Sequence, residues 1–311
     1  MALKKQEKQK QREERFNKIQ KPANYLFNII LGALALLSII PFLFVIIISI
    51  TDEKTLVKNG YRFIPEKLSL YAYKYIVEAG DSIIRSYGVT ILVTIVGTVV
   101  GLLLIGTYAY ALSRRTYAYR TFFTKVITIP MLFSGGMIAN YLVMTRVLML
   151  KDSVWALILP LAMNSFNVII LRTFFKTGIP DSVVESAKID GASEWRLFFN
   201  IIIPMALPGF ATIGLFLTLG YWNDWFNAMM YIDNKEWMPL QYLLIQIESS
   251  IDWLASNKGM MGVDGVIIAQ NLPKETIKMA IVTISTLPII FAYPFFQRYF
   301  VSGLTVGAVK E

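Results

Sequence analysis

The sequence contains neither cysteine nor histidine. Without cysteine the chain can form no disulfide, and it offers no thiol nucleophile or thiolate metal ligand. Without histidine it lacks the most common general base and the most common metal ligand. Carboxylate or Ser–Lys chemistry stays open, but no cluster of such groups is evident. We therefore expect no catalytic residues, no cofactor and no metal site in this chain.

Charged residues are also scarce, at 16% of the 311 residues, where soluble domains have about 25%. Hydrophobic residues make up 55% of the chain. A soluble globular protein of this size needs more polar surface. The composition therefore predicts an integral membrane protein.

Six apolar segments are long enough to cross the hydrocarbon core, which takes roughly 20 residues of helix. They lie near residues 25–50, 84–112, 122–150, 154–174, 206–230 and 277–299. The first segment continues into Thr51 and Asp52 with no small-residue cleavage site, so we expect an uncleaved span. The expected fold is all-α, with six transmembrane helices in the cell membrane.

Lysine and arginine are distributed unevenly over the loops. Residues 1–21, 113–125, 172–200 and 297–311 together carry 18 basic and 8 acidic residues, whereas the rest of the chain carries 12 and 13. Cytoplasmic loops of membrane proteins are enriched in Lys and Arg. Both termini are therefore predicted to be cytoplasmic, which agrees with an even number of spans.

The basic segment at residues 1–24 contributes to a net charge of +9. Such an excess could serve nucleic-acid binding, but no basic module with interleaved aromatic residues accompanies it. A cytoplasmic segment that contacts anionic lipid beside the membrane explains the same residues. We expect membrane lipid and no nucleic acid as the partner of this segment.

Two loops on the opposite side of the membrane are long. Residues 51–83 contain an amphipathic stretch at 68–77, and residues 231–276 contain Trp237 and Trp253. A connection of this length that is rich in apolar residues favours an external loop with structure and a partner of its own over a disordered one.

Proline and glycine interrupt two of the predicted spans. The third contains Pro130 and the pair Gly135–Gly136, and the sixth contains Pro288 and Pro294. A proline in a membrane helix frees a backbone carbonyl, which is tolerated where protein or water can satisfy it. Each proline marks either a kink needed for packing or a position beside a pathway.

The segment between the fourth and fifth spans, residues 180–204, predicts two short helices. Pro180 suits a first helical turn and Asp181 adds an acid at the positive helix end. Gly191 can supply the left-handed residue that ends the first helix, and Ser193 or Asp190 can cap the second. The result is a short helix across the cytoplasmic face, joined rigidly to the fifth span.

This segment resembles the EAA loop of binding-protein-dependent ATP-binding-cassette (ABC) importers. The matching residues, in register, are Glu185, Ser186, Ala187, Asp190, Gly191, Ala192, Phe198, Ile201 and Pro204. Ser186 replaces the usual first alanine of the motif and is nearly as small. The resemblance implies a type I importer permease fold, with a permease domain over residues 25–300 and a coupling segment at 180–204.

Two further stretches are similar to carbohydrate importers of the maltose class. Residues 221–228 resemble the Trp-Asn-acid-Phe stretch of their fifth helix, and residues 297–310 resemble the C-terminus of their second permease subunit. The long loop at 241–276 departs from the maltose type and resembles the branch associated with complex oligosaccharides.

The resemblance implies an assembly rather than a lone protein. The partners would be a second, homologous permease subunit, two cytoplasmic ATPase subunits that bind ATP and Mg, and an extracellular solute-binding protein. No GxxxxGK[ST] phosphate loop occurs in this chain, since Gly101 and Gly106 have the glycine spacing without the lysine. The chain would thus be a non-catalytic permease subunit that forms half of the pathway for a sugar or oligosaccharide.

The resemblance also implies three groups of functional residues. The residues that couple to the ATPase would be Glu185, Ser186, Ala187, Asp190, Gly191 and Ala192. The cytoplasmic tail, residues 301–311, would contact the ATPase through Gly303, Leu304, Gly307 and Lys310, the alternative being a disordered end. The pathway or substrate residues would be Tyr221, Trp222, Asn223, Asp224 and Asn227.

Asp224 is an acid deep in an apolar run, and a charge at mid-bilayer costs about 2.5–3.5 kcal/mol. It should face a polar pathway or subunit interface, unless it lies near the outer headgroups. Trp222 and Trp225 could stack on sugar rings or belong to an aromatic belt. A permease for a non-carbohydrate solute is the alternative function. A membrane enzyme or receptor would need an acid–base or metal cluster that the sequence does not show.

Overall fold

The computed structural model describes residues 21–78, 81–257 and 273–308. These residues fold into fifteen α-helices, numbered here in chain order. They are α1 Lys21–Ser49, α2 Glu53–Asn59, α3 Tyr71–Glu78, α4 Asp81–Ser113, α5 Arg120–Leu132, α6 Gly136–Leu142, α7 Val154–Ala162, α8 Ser165–Gly178, α9 Asp181–Ile189, α10 Glu194–Leu197, α11 Ile203–Met205, α12 Leu207–Trp222, α13 Phe226–Tyr231, α14 Leu240–Ser256 and α15 Lys274–Ala308. Two π-helical segments, Val143–Val147 and Phe198–Ile202, extend α6 and α10.

Four of the six predicted spans coincide with elements long and apolar enough to cross a membrane. Three are single helices, α1, α4 and α15, and the fourth span is the pair α7–α8, bent by 51°. The fifth predicted span, 206–230, differs, because α12 is long enough only together with the preceding Glu194–Met205 segment, bent by 84°, and the helix breaks after Trp222 before α13 begins at Phe226. The third predicted span, 122–150, is not continuous, because extended backbone at Phe133 and the Gly135–Gly136 pair separate α5 from α6.

Helix α4 lies at the centre of the bundle and packs against α7, α8 and α12. Gly101 and Gly106, which have phosphate-loop spacing in the sequence, are packing positions on this helix. A Cβ atom at Gly106 would lie 2.8 Å from Cε1 of Phe210, and one at Gly101 would lie 2.9 Å from Cδ1 of Leu217. Small residues let membrane helices approach closely, and these glycines bring α12 against α4.

In the last span, α15, the carbonyl freed by the first proline, Pro288, finds a partner within the protein, as expected for a membrane helix. Pro288 has no N–H to donate, so the carbonyl of Ile284 loses its helical partner. The hydroxyl of Tyr87 on α4 donates to that carbonyl at 2.9 Å. The freed backbone group is thus satisfied by a neighbouring span, and α15 continues as helix through both of its prolines.

The two long loops pack on each other. Helix α3 from the first loop, α14 from the second and the first two turns of α15 surround a second hydrophobic core, and α2 contacts α15; these four elements are here called the loop module. Glu53 caps α15, because its carboxylate accepts from the backbone N–H groups of Glu275 and Thr276 at 3.0 and 2.9 Å. The part of the 231–276 loop that the structure describes is therefore ordered, as its apolar content predicts.

A separate polar contact, here called the Asp152 joint, lies between the loop after α6 and the loop after α13. Asp152 adopts a left-handed backbone with φ of 59°, and its Oδ1 accepts from the N–H groups of Asp233 and Asn234 at 2.6 and 2.8 Å. These two donors hold the pKa of Asp152 below its usual value. Together with the loop module, this joint fixes the loop-bearing end of the bundle.

Candidate functional site

The predicted coupling segment begins with α9, Asp181–Ile189. Pro180 precedes the helix in extended backbone rather than occupying its first turn, and Asp181 is the first helical residue. The helix ends where predicted, at Gly191, whose φ of 77° is the left-handed conformation that favours glycine. The N–H of Ala192 then donates to the carbonyl of Ala187 at 3.0 Å and closes the helix end.

The two faces of α9 differ sharply. Val184 is buried and Ala187 packs against the main hydrophobic core, so one face is anchored to the bundle. Ser182, Glu185 and Ile189 lie on the opposite face and are exposed. The Ile189 side chain is 86% exposed. The isolated chain therefore presents a carboxylate beside an uncovered apolar side chain on a firmly seated helix.

The second half of the segment bends rather than continuing straight. Ser193, not Asp190, caps α10 by accepting from the N–H of Arg196 at 3.3 Å. The chain then passes through the π-helical segment and turns by 84° into α12. The connection to α12 is thus bent, a geometry that the sequence reasoning did not address. Phe198 and Ile202, rather than Ile201, are the fully buried anchors of this connection.

Sequence reasoning missed one polar contact in this segment. Glu194 of α10 accepts a hydrogen bond from the hydroxyl of Tyr110 on α4 at 2.6 Å and forms an ion pair with Lys188 of α9 at 2.6 Å. The Lys188 ammonium and the Tyr110 hydroxyl hold the pKa of Glu194 below its usual value. No local pattern reveals this contact, because Tyr110 lies 84 residues earlier in the chain.

Two of the predicted pathway residues are buried in the bundle. Tyr221 is 2% exposed, and its hydroxyl donates to the carbonyl of Ile158 on α7 at 2.8 Å. Trp222 is 7% exposed, and its indole N–H donates to the carbonyl of Ser285 on α15 at 2.9 Å. Both side chains tie α12 to neighbouring helices, which favours a packing role over direct contact with a solute.

The other three predicted pathway residues lie at the break between α12 and α13. Asn223 is exposed, while Asp224 and Asn227 are half-buried. The Asp224 carboxylate accepts from the backbone N–H of Asn227 at 3.2 Å and from its amide Nδ2 at 2.9 Å. The break therefore gathers a carboxylate and two amides where the apolar helix is interrupted.

Two cavities in the described part of the chain differ in lining. A cavity of about 160 Å³ between α4, α12 and α15 is almost entirely apolar. A groove of about 450 Å³ between α3 and α14 in the loop module is lined partly by Tyr75, Glu78 and Gln246. Within the described ranges, no group of three or more Asp or Glu residues could hold a metal ion.

The tail residues are described only in part. Gly303, Leu304 and Gly307 lie in the last turns of α15, which runs to Ala308 without a break at residue 300. Lys310 lies outside the described residues. The predicted contacts of these four residues with an ATPase stay predictions.

This chain is similar to a known family and to known proteins over most of its length. The profile of the binding-protein-dependent transport system inner membrane component matches residues 97–306. Protein LplC of Bacillus subtilis (strain 168) is 41% identical over 92% of this chain and 93% of its own length. The polygalacturonan/rhamnogalacturonan transport system permease protein YtcP of the same strain is 41% identical over 89% of this chain and 94% of its own.

A solved structure agrees with the fold as well. The chain is similar to one chain in the crystal structure of a bacterial ABC transporter involved in the import of the acidic polysaccharide alginate. The TM-score is 0.75 at 30% sequence identity, and the match covers 91% of this chain and 100% of the other.

The packing role of Tyr221 can be separated from a pathway role by mutation. Tyr221→Phe removes only the hydroxyl that donates to the Ile158 carbonyl, so it should lower the free energy of unfolding by about 0.6 kcal/mol, the average for hydrogen bonds between membrane helices. The apparent melting temperature in detergent should fall, whereas Tyr119→Phe, the same change at a tyrosine that is 67% exposed, should leave it unchanged. A Tyr221→Phe protein with unaltered melting and impaired transport would instead assign this hydroxyl to the pathway.

Proposed function

The chain belongs to the family of binding-protein-dependent transport system inner membrane components, and from this premise we propose that it imports oligosaccharides. As a member of that family it is a non-catalytic permease subunit of an ABC importer in the cell membrane. The proposed cargo is an oligosaccharide, because a relative with 41% identity is described as a polygalacturonan/rhamnogalacturonan permease and a solved relative as an alginate importer.

The proposed assembly contains a second, homologous permease, two ATPase subunits and an extracellular solute-binding protein. ATP and Mg bind to the ATPase subunits, since the sequence of this chain has no phosphate loop. Exposed apolar side chains run along α1 and from Ile129 to Leu142. This surface suits lipid and the second permease, because an uncovered apolar surface of this extent marks an interface or a membrane contact.

The observation that carries the coupling proposal is the two-faced helix α9. Its buried face transmits force into the bundle, and its exposed face, with Ser182, Glu185 and Ile189, offers one acid and one apolar contact. We assign this face to a cleft of the ATPase, where an Arg or Lys pairs with Glu185. Closure of the ATPase pair on ATP then displaces α9, and the site alternates between outward-facing and inward-facing states.

The pathway proposal rests on the break between α12 and α13. Asn223, Asp224 and Asn227 are assigned to the polar pathway or to the interface with the second permease, because an acid in an apolar span needs polar surroundings. Tyr221 and Trp222 are assigned to holding the break in position through their bonds to α7 and α15. The groove in the loop module lies on the side proposed to meet the solute-binding protein.

A reconstituted complex tests the transport and coupling proposals together. In proteoliposomes with the second permease and the ATPase subunits, the solute-binding protein loaded with a pectin-derived oligosaccharide should stimulate ATP hydrolysis and uptake. Glu185→Lys should abolish this stimulation by inverting the docking charge, and Gly191→Pro should do so because proline cannot adopt a φ of 77°.

The matched control for the first variant is Glu13→Lys, the same charge inversion in the basic segment at residues 1–24, to which no ATPase contact is assigned. Insertion into the membrane should be normal in all three variants. Full stimulation in Glu185→Lys would contradict the docking assignment. An intact complex that binds and imports a peptide or metal–chelate rather than any glycan would favour the alternative, a permease for a non-carbohydrate solute.

The orientation follows from the charge distribution and is tested by labelling. Because the natural chain has no cysteine, a single introduced cysteine gives an unambiguous signal. Ser249→Cys in α14 should react with a membrane-impermeant thiol reagent added outside intact cells, and Lys188→Cys in α9 should react only after permeabilisation. The reverse pattern would place the termini outside.

The division into a basic segment at 1–24, a permease domain at 25–300 and a tail at 301–311 is also proposed. Since α15 continues to Ala308, the tail extends the last span as helix. We assign residues 301–310 to a contact with the ATPase subunits. Truncation after Phe300 should preserve pairing with the second permease and lower the amount of co-purified ATPase. Normal ATPase association and turnover in the truncated complex would show that the tail is dispensable.

A further inference from the structure

Glu194 joins three elements at the cytoplasmic end of the bundle as oriented above. One carboxylate oxygen, Oε2, accepts from the hydroxyl of Tyr110 on α4 at 2.6 Å. The other, Oε1, pairs with the ammonium of Lys188 on α9 at 2.6 Å. The carboxylate itself belongs to α10, so one side chain connects the coupling helix, the connection to α12 and the end of α4.

The Tyr110 side of this joint is built into the core. Tyr110 is 8% exposed, and its ring packs against Phe198 with the centroids 5.4 Å apart. The guanidinium of Arg114 lies 5.2 Å from the centroid of the same ring. A hydrogen bond from a buried, immobile phenol to a carboxylate is among the stronger contacts a side chain makes.

The Lys188 side is more open. The side chains of Lys188 and Glu194 are 39% and 59% exposed. Solvent and salt screen such a pair, so it contributes less than the bond to Tyr110. The bond to the buried Tyr110 hydroxyl should therefore contribute most, and it connects α10 to α4. The weaker pair with Lys188 connects α10 to α9.

The joint adds a polar route for motion to those that the chain and the buried face of α9 provide. Along the chain, α9 reaches α12 only through Gly191, the π-helical segment and the 84° bend. Across the joint, α9 and α10 reach α4 directly, and α4 packs against α7, α8 and α12 at the centre of the bundle.

We propose that Glu194 is a positioning residue that fastens the coupling helix to α4, so that displacement of α9 moves the centre of the bundle and not only α12. The proposal rests on the proposed function of α9 as the ATPase contact. Loss of the Glu194–Tyr110 bond leaves the ATPase docked but moves α4 less for each ATP hydrolysed.

A double-mutant cycle in the reconstituted complex tests this role. Tyr110→Phe keeps the ring and removes the hydroxyl, and Glu194→Ala removes the acceptor. Each should lower the oligosaccharide imported per ATP hydrolysed by about threefold, because the partly exposed Glu194 carboxylate weakens the bond that is lost. The double variant should be no worse than the more impaired single variant, because both remove the same bond.

Two further measurements separate positioning from simple stability. The amount of co-purified ATPase and the basal hydrolysis rate should match the unmodified complex. Glu194→Gln should restore most of the import per ATP, since its amide oxygen still accepts from Tyr110. Glu13→Gln in the basic N-terminal segment serves as the control for an acid-to-amide change outside the joint. If Tyr110→Phe fails to assemble, the difference in import per ATP between Glu194→Ala and Glu194→Gln measures the same bond, because only the second variant keeps an acceptor for the Tyr110 hydroxyl.

The outcomes distinguish the role proposed for Glu194 from the ATPase docking proposed for α9. The proposed role of Glu194 would be contradicted by unchanged import per ATP in Glu194→Ala. It would also be contradicted if the losses of the two single variants multiply in the double variant. A loss of co-purified ATPase in proportion to the loss of import would show that Glu194 has only a structural role. This result would contradict the proposal as well. If Glu185→Lys uncouples ATP hydrolysis from import while Glu194→Ala does not, only the role proposed for Glu194 is contradicted. If neither variant uncouples the two, the docking function proposed for α9 is contradicted as well.

Discussion

The structure depends on one constraint: backbone polar groups inside an apolar medium must find partners within the protein. Helices satisfy most of them, but the chain breaks or bends several of its spans. Where Pro288 interrupts the ladder of α15, Tyr87 satisfies the freed carbonyl of Ile284, and Trp222 bonds to the next carbonyl, that of Ser285. These side chains cross from α4 and α12, so the demand for backbone partners also determines which spans are tied together.

This constraint explains why the two ends of the bundle are built differently from its middle. In the middle, small residues such as Gly101 and Gly106 bring helices close and leave few polar contacts. At the ends, charged side chains do the joining: Glu53 holds the start of α15, Asp152 holds the loop after α13, and Glu194 holds the end of α4.

How far the sequence predicts this arrangement depends on the distance over which each signal acts. The ends of α9 follow from local chemistry, since Asp181, Gly191 and Ser193 act within a turn of their own positions. The spans follow from hydropathy, with the exception of the third, which its Gly135–Gly136 pair divides, and of the fifth, which breaks after Trp222. By contrast, Glu53 and Thr276 are separated by 223 residues, and no pattern in either loop indicates that they meet.

The roles of Tyr221 and Trp222 show the same limit at the candidate site. Their neighbourhood of Asn223, Asp224 and Asn227 is typical of a sugar-importer helix, and aromatic rings beside amides and an acid suit a sugar. Only the packed structure reveals that both polar atoms of the aromatic pair are occupied by carbonyls of α7 and α15. The Tyr221 hydroxyl and the Trp222 indole N–H each donate their one hydrogen inside the bundle, and both side chains are buried. The polar side chains that packing leaves exposed or half-buried at the helix break are those of Asn223, Asp224 and Asn227, and this is why the pathway proposal rests on them and not on the aromatic pair.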